Sequence, residues 1–304
     1  MASVSWSRLP KPFGAVCAAI EGALGPPDER SRFMRTHMAE TPNATHGWAV
    51  VTGASGGMGA VFTRALAKRG YPVLAVARAT TPLAKLAEEM SKEGARVEVL
   101  ASDLATAEGV TTVVERARAL GDVELLVNNA GLSTSGRFLD QARDREIQSI
   151  RVNVEALYTL TRDFVPEMVK RKRGGVINIA SVTAFQAIPF WTTYAATKAF
   201  VLSLGEGLAY ELRGSGVRVL TVCPGFTKTA LYAESGVPGL AGRWLRHAAP
   251  EEVVDTALAA YDGKRVRVVR VVGFTNRLLA FAGRLTPRPI LRWLMARMFS
   301  PTSG

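Results

Sequence analysis

Tyr194 and Lys198 stand four residues apart in a helical stretch, so phenol and ammonium share one helix face. A free tyrosine has a pKa of about 10, which makes it a proton donor and a poor base at neutral pH. An adjacent ammonium favours the phenolate and lowers that pKa, at about 1.4 kcal/mol per unit, so the group becomes usable in both directions. Ser181 lies thirteen residues upstream at the end of an apolar run, where a hydroxyl can hold a substrate oxygen. Asn153, in an earlier helical stretch, carries an amide that can fix a water. Singly, each has a plainer reading: an amphipathic core tyrosine, a surface charge, a helix cap, a polar helix residue. As a set they can move a proton to and from a substrate oxygen.

Such residues need a scaffold. From Gly47 onward, short apolar runs alternate with helical stretches, the pattern of a parallel sheet covered by helices on both faces. The predicted strands are 48–52, 72–77, 96–101, 124–128, 176–180, 217–222 and 266–272. Seven strands make one α/β domain, doubly wound, that binds ligands outside the carboxyl ends of its strands, where the order reverses. The first strand runs into Thr52-Gly53-Ala54-Ser55-Gly56-Gly57-Met58-Gly59 and then a helical stretch, 60–69. Glycines there allow a sharp turn that brings backbone N–H groups and a helix N-terminus against a pyrophosphate. The spacing is TGxxxGxG, not GxGxxG, because position 62 is Phe; the plainer reading is a glycine-rich turn that packs helix on strand. At the end of the second strand an acid would hold the ribose 2′-hydroxyl of NAD, whereas this chain has Ala77 followed by Arg78. A charge-assisted contact from Arg78 to a 2′-phosphate is worth about 1.5–3 kcal/mol, roughly ten- to a hundredfold in favour of NADP(H) over NAD(H).

Taken together these residues resemble the short-chain dehydrogenase/reductase family. The resemblance covers Gly47 to about Val272 and includes TGxxxGxG, Asp103-Leu104, Asn128-Asn129-Ala130-Gly131, Asn153, Ser181, Tyr194, Lys198, and Pro224-Gly225 with Thr227 and Thr229. It implies a single Rossmann-type domain. Asp103 would contact the adenine, Asn129, Ala130 and Gly131 would line the cofactor groove, and Pro224, Gly225 and Thr227 would flank the nicotinamide. Lys198 would also bond the nicotinamide ribose, Ser181 would polarise the carbonyl, and Asn153 would anchor a water in the proton relay. Tyr194 would then protonate the oxygen of a ketone as hydride reaches its carbon.

The chain has 304 residues and a formal net charge of +12, but the charge is local. Residues 1–46 are nearly balanced, while residues 263–304 hold nine Lys and Arg and no acid. That distribution argues against a nucleic-acid footprint over the body. Two cysteines, Cys17 and Cys223, build no disulfide framework and imply a reducing compartment, hence a cytoplasmic location. His37, His46 and His247 are scattered, with no metal-ligand spacing, and Cys223 before Pro224 reads as a small core residue.

Residues 1–46 are rich in proline and lack a sustained period, as expected of a poorly ordered extension. Residues 13–24 imitate a secretory signal, but Glu21 interrupts them, and Met34 and Met38 leave room for a later start. The catalytic domain is expected over 47–273. Leu231, Tyr232, Val237, Leu240, Trp244 and Leu245 form an expected apolar lid, extended by Phe185, Ile188, Phe190 and Trp191. They point to a hydrophobic ketone or alcohol, acyl or steroid-like. Residues 274–304 form a basic amphipathic tail, divided by Pro287 and Pro289, that can lie on an anionic membrane, cover a subunit interface in a homo-oligomer or close the pocket. Three functions remain open at this point: a carbonyl reductase, a cofactor-binding regulator without turnover, and a membrane-surface protein using the fold as scaffold.

Overall fold

The computed structural model describes residues 46–229, 247–263 and 267–300. The N-terminal extension up to residue 45, the six lid residues between 231 and 245, the first residue of the last predicted strand, Val266, and the tail beyond residue 300 lie outside the described residues.

Seven parallel strands form one sheet in the order β3-β2-β1-β4-β5-β6-β7. They are β1 (Trp48–Thr52), β2 (Val73–Ala77), β3 (Val97–Ala101), β4 (Val123–Asn128), β5 (Gly174–Ile179), β6 (Val217–Cys223) and β7 (Val269–Val271). The helices are α1 (Gly57–Lys68), α2 (Thr80–Lys92), α3 (Ala107–Leu120), α4 (Arg143–Ile150), α5 (Leu157–Lys170), α6 (Thr192–Glu211), α7 (Pro250–Asp262), α8 (Phe274–Leu285) and α9 (Arg288–Phe299). A π-helical segment, Arg151–Ala156, joins α4 to α5.

The period of two places alternate residues on opposite sheet faces. Ala49 and Val51 of β1 join a core with Phe62 and Leu66 of α1 and Leu258 of α7. Trp48 and Val50 join a second core with Val113 of α3 and Leu160, Phe164 and Met168 of α5. Every residue of β1, β2 and β5 is buried, which is why these strands read as continuous apolar runs. The chain goes from β1 through β2 to β3 on one side and returns to β4 on the other, so the order reverses between β1 and β4. Ligands of such sheets sit at that crevice.

Two predicted strand boundaries move by two residues or more. β5 starts at Gly174 rather than 176, because tertiary packing overrides the low strand propensity of glycine: a Cβ at Gly175 would lie 1.9 Å from the Tyr261 hydroxyl. β7 has only three residues, being an edge strand paired on one side to Thr221–Cys223. The chain then turns at Gly273, whose φ of +85° suits glycine, and enters α8.

Candidate active site

The β1–α1 turn and the β4 end are stitched together at the crevice. The Thr52 hydroxyl donates to the Val127 carbonyl at 3.2 Å and accepts from the backbone N–H groups of Asn129 and Ala130, each at 3.0 Å. The Asn129 amide donates back to the Thr52 and Gly53 carbonyls at 2.8 and 3.3 Å. Gly53 has φ +68°, and a Cβ there would stand 2.9 Å from the Ala130 Cα, so glycine is required twice over. Gly59 sits beneath the loop, where a Cβ would fall 2.0 Å from the Gly53 carbonyl oxygen. It packs helix on loop rather than lining a cavity.

A groove of about 530 Å³ runs over this loop. Its walls contain Gly53, Ser55, Gly57, Met58, Arg78, Asp103, Leu104, Asn129, Ala130 and Gly131, all singled out by sequence. They also contain Gly56, which stands in the quoted loop without an assigned role, and Ala79, Ser102 and Val152, which sequence reasoning missed. The last three follow or precede motif residues by one place, and nothing in their types separates them from neighbours. A dinucleotide fits these features. A Cβ at Gly56 would meet no protein atom within 4 Å, which leaves room for a ligand. The first turn of α1 holds no acid, so its N-terminus is free to face phosphate. Arg78 is exposed, and no described carboxylate lies within ion-pair distance of it.

A second cavity of about 80 Å³ shares Met58, Asn129, Gly131 and Thr229 with the groove. Ser181, Tyr194 and Lys198 line it together with Pro224, Gly225 and Thr227. Ser181 lies two residues past β5 and caps a short 3-10 turn, Val182–Phe185, where its hydroxyl accepts from the Thr183 N–H at 3.2 Å. The cap and the cavity wall are therefore compatible readings of one residue. Lys198 is buried; its Nζ donates to the Ile179 carbonyl at 2.9 Å and lies 5.8 Å from the Tyr194 ring centre.

Burial reverses one expectation of the sequence. The Tyr194 phenol is pushed up to about 12 by desolvation, with the Ser181 hydroxyl acting in the opposite sense. Desolvation pulls the Lys198 ammonium down to about 8, with Cys223 opposing. Desolvation outweighs the Ser181 hydroxyl, so the phenol is held as a neutral proton donor at neutral pH. Desolvation also raises the Cys223 thiol to about 12, which keeps it protonated and unreactive in the core.

Asn153 is brought to the same region but not into either cavity wall. Its Oδ1 accepts from the Leu132 N–H at 2.8 Å. Its Nδ2 donates to the Leu132 carbonyl at 2.8 Å and the Thr197 hydroxyl at 3.0 Å. These bonds commit most of the amide to holding the Gly131–Leu132 segment against α6, so the side chain positions its neighbours rather than presenting a free amide to water. Thr197, beside Lys198, was not singled out by sequence; its hydroxyl donates to the Tyr194 carbonyl at 2.7 Å. Asn153→Ala is expected to destabilise the chain by about 1–3 kcal/mol, because it strips the Leu132 N–H of its partner. A thermal melt should show Tm several degrees lower. An unchanged Tm would contradict this role.

Of the aromatic lid extension, only Trp191 lines the inner cavity. It meets Tyr194 edge-on at 5.7 Å between ring centres. Ile188 packs in the core beneath Phe299, and Phe185 carries the Arg284 guanidinium at 5.5 Å. Phe226, missed by sequence, completes the wall. Ser133 Oγ, Thr183 Oγ1 and Trp191 Nε1, all from residues in this wall, are buried without a hydrogen-bond partner. Buried donors of this kind await a ligand oxygen or water. Elsewhere, His46 stacks on Tyr71 at 4.0 Å and His247 on Phe226 at 5.9 Å. Among the described residues no group of three metal-ligating side chains occurs.

A parallel sheet ordered 3-2-1-4-5-6-7, a glycine loop under its crevice and a buried Ser-Tyr-Lys set beside it define a nicotinamide-nucleotide-dependent dehydrogenase or reductase. The short chain dehydrogenase family matches residues 47–237, and the chain belongs to that family. It is 35% identical over 189 residues to the oxidoreductase UcpA of Salmonella typhimurium, covering 62% of this chain and 71% of that one. It is 30% identical over 256 residues to the ketoacyl reductase HetN of Nostoc sp., covering 80% and 88%. The short-chain dehydrogenase from Sphingobium yanoikuyae, solved in complex with NADPH, superposes with a TM-score of 0.71 at 33% identity, covering 79% of this chain and 93% of that one.

Proposed function

We propose that the chain is an NADP(H)-dependent carbonyl reductase, or the reverse alcohol dehydrogenase, for a hydrophobic acyl or steroid-like substrate. The observation that carries this reading is the convergence of Ser181, Tyr194 and Lys198 on one cavity whose wall is shared with the dinucleotide groove. A binding-only regulator has no need of two hydroxyls at that place.

In this reading Gly53, Ser55, Gly57, Met58 and the α1 N-terminus hold pyrophosphate, with Gly59 supporting the loop. Arg78 takes the 2′-phosphate, Asp103 and Leu104 the adenine, and Asn129, Ala130 and Gly131 the groove floor. Pro224, Gly225 and Thr227 seat the nicotinamide, whose bound form supplies or accepts the hydride. Ser181 donates to the carbonyl oxygen and Tyr194 passes it a proton. Lys198 holds the ribose and lends positive charge, while Asn153 fixes the geometry. Charge grows on the oxygen only in the transition state, so donors already in place help most there. Exposed Ile150, Tyr158, Phe200 and Tyr210 on the α4–α6 side support a homo-oligomer, which sedimentation of the full chain reads directly. We place the enzyme in the cytoplasm; among the described residues no helix is long and apolar enough to cross a membrane.

The test is NADPH oxidation with a panel of apolar ketones across pH. Lys198 is charged below about 8 and loses its proton above it, whereas Tyr194 keeps its proton to about 12. The kcat/KM for NADPH, which reports the free enzyme, should be flat below pH 8 and fall about tenfold per unit above it. A rate that rises from neutral to alkaline pH would contradict the assignment, as would absence of turnover over the whole panel.

A further inference from the structure

The arginine-rich tail folds into two helices that do different things on their two sides. Toward the body, Phe299 is buried among Ile188, Trp191 and Tyr194, with Met295 and Met298 packed against the same cluster. Its ring lies 5.5 Å from that of Trp191. Asn276 of α8 closes on the nicotinamide-side loop, for a Cβ at Gly225 would meet its Nδ2 at 2.3 Å. The tail is thus a wall behind the active site.

Away from the body, Phe274, Leu278, Phe281 and Leu285 recur at intervals of four, three and four along α8 and are all exposed, between 45% and 67%. This is a helical stripe turned to solvent rather than to a core. On α9, Ile290, Trp293 and Leu294 repeat the arrangement at 53%, 57% and 40% exposure. Arg277 and Arg284 flank the α8 stripe and Arg297 lies within that of α9, while Arg288 and Arg292, though exposed, share the helix side of Met295 and Phe299. Arg284, Arg288, Arg292 and Arg297 are exposed, and no described carboxylate lies within ion-pair distance of any of the four. The Arg297 guanidinium lies over the Trp293 ring at 5.3 Å.

We propose that the outer face of α8 and α9 docks on an anionic lipid bilayer, apolar stripes in the acyl boundary and arginines at the headgroups. The charge selects this occupant. A second copy meeting the same face would bring the exposed arginines of α8 and α9 against their own copies with no acid among them, because residues 263–304 contain none. A polyanion such as nucleic acid would use the arginines but leave the apolar stripes in water. A bilayer satisfies both, since burial of apolar side chains and attraction to anionic lipid act together. Given the substrate class proposed above, docking places the active site where an apolar carbonyl dissolves; that clause alone rests on the reductase reading.

Flotation of the full chain with vesicles of phosphatidylcholine, and of phosphatidylcholine containing about one-third phosphatidylglycerol, tests the proposal. The wild type is expected to float with the anionic vesicles and about tenfold less with the neutral ones. Leu278→Glu with Phe281→Glu, and separately Arg284→Glu with Arg297→Glu, should each weaken partitioning by about tenfold or more. All four side chains are exposed, so Tm should stay unchanged and certify the fold. Equal recovery on both vesicles, or equal recovery of wild type and the Leu278/Phe281 variant, would overturn the proposal. So would capture by heparin alone, or a loss of oligomer in that variant, which would assign the face to a polyanion or to a second copy. No catalytic step enters the readout, so failure here and failure of the reductase reading are separable.

Discussion

Tyr194→Phe is expected to lower kcat for NADPH-dependent ketone reduction by about a hundred- to ten-thousandfold, the range that a positioned proton donor contributes. The phenol is buried, at 8% exposure, and raised to about 12, so it holds its proton, and in the proposed mechanism it delivers it only to an oxygen acquiring charge beside it. Phenylalanine keeps the ring and its edge contact with Trp191 and removes only the hydroxyl. The substrate oxygen then retains Ser181 alone. Because the proposed pyrophosphate and adenosine contacts line the other cavity, NADPH affinity should change little. A loss in KM rather than kcat, read in steady-state kinetics, would place Tyr194 in binding and not in proton transfer.

Arg78→Asp is expected to cut kcat/KM for NADPH by about a hundredfold or more while leaving that for NADH within severalfold. Arg78 follows β2 in the groove wall, exposed, where no described acid competes for its guanidinium. Aspartate at the same strand end repels a 2′-phosphate and can instead accept from a 2′-hydroxyl. Surface exposure confines the effect to the ligand, and stability should shift by less than about 0.5 kcal/mol. Equal losses with both cofactors would remove Arg78 from cofactor choice.

Much of this site was legible because its motifs sit at places where backbone geometry permits few residues. Gly53 must be glycine for its φ and its closeness to Ala130, so the turn is written in the chain, and the strand before it ends where the apolar run ends. The four-residue step from Tyr194 to Lys198 lies on α6 and brings both to one cavity. What depended on distant packing was not legible. Desolvation of Tyr194 and Lys198 comes from elements far along the chain, and it reversed the expected direction of the phenol shift. The π-helical turn carrying Asn153 has no composition of its own, and the bonds of its amide depend on Leu132 and Thr197 arriving from elsewhere. The tail read as amphipathic with several possible contacts; folding divides them by face, with Phe299 inward and Phe281 outward.

The central claim is that Tyr194 gives the proton within a site that has already bound NADPH. Wild type and Tyr194→Phe can be compared on one pair of preparations, with NADPH affinity from fluorescence titration and NADPH consumption after mixing with the best ketone of the panel. Dissociation constants within about twofold of each other and a single-turnover rate reduced at least about a hundredfold are expected. Turnover by the variant at a rate near that of wild type, with NADPH bound equally well, would contradict it.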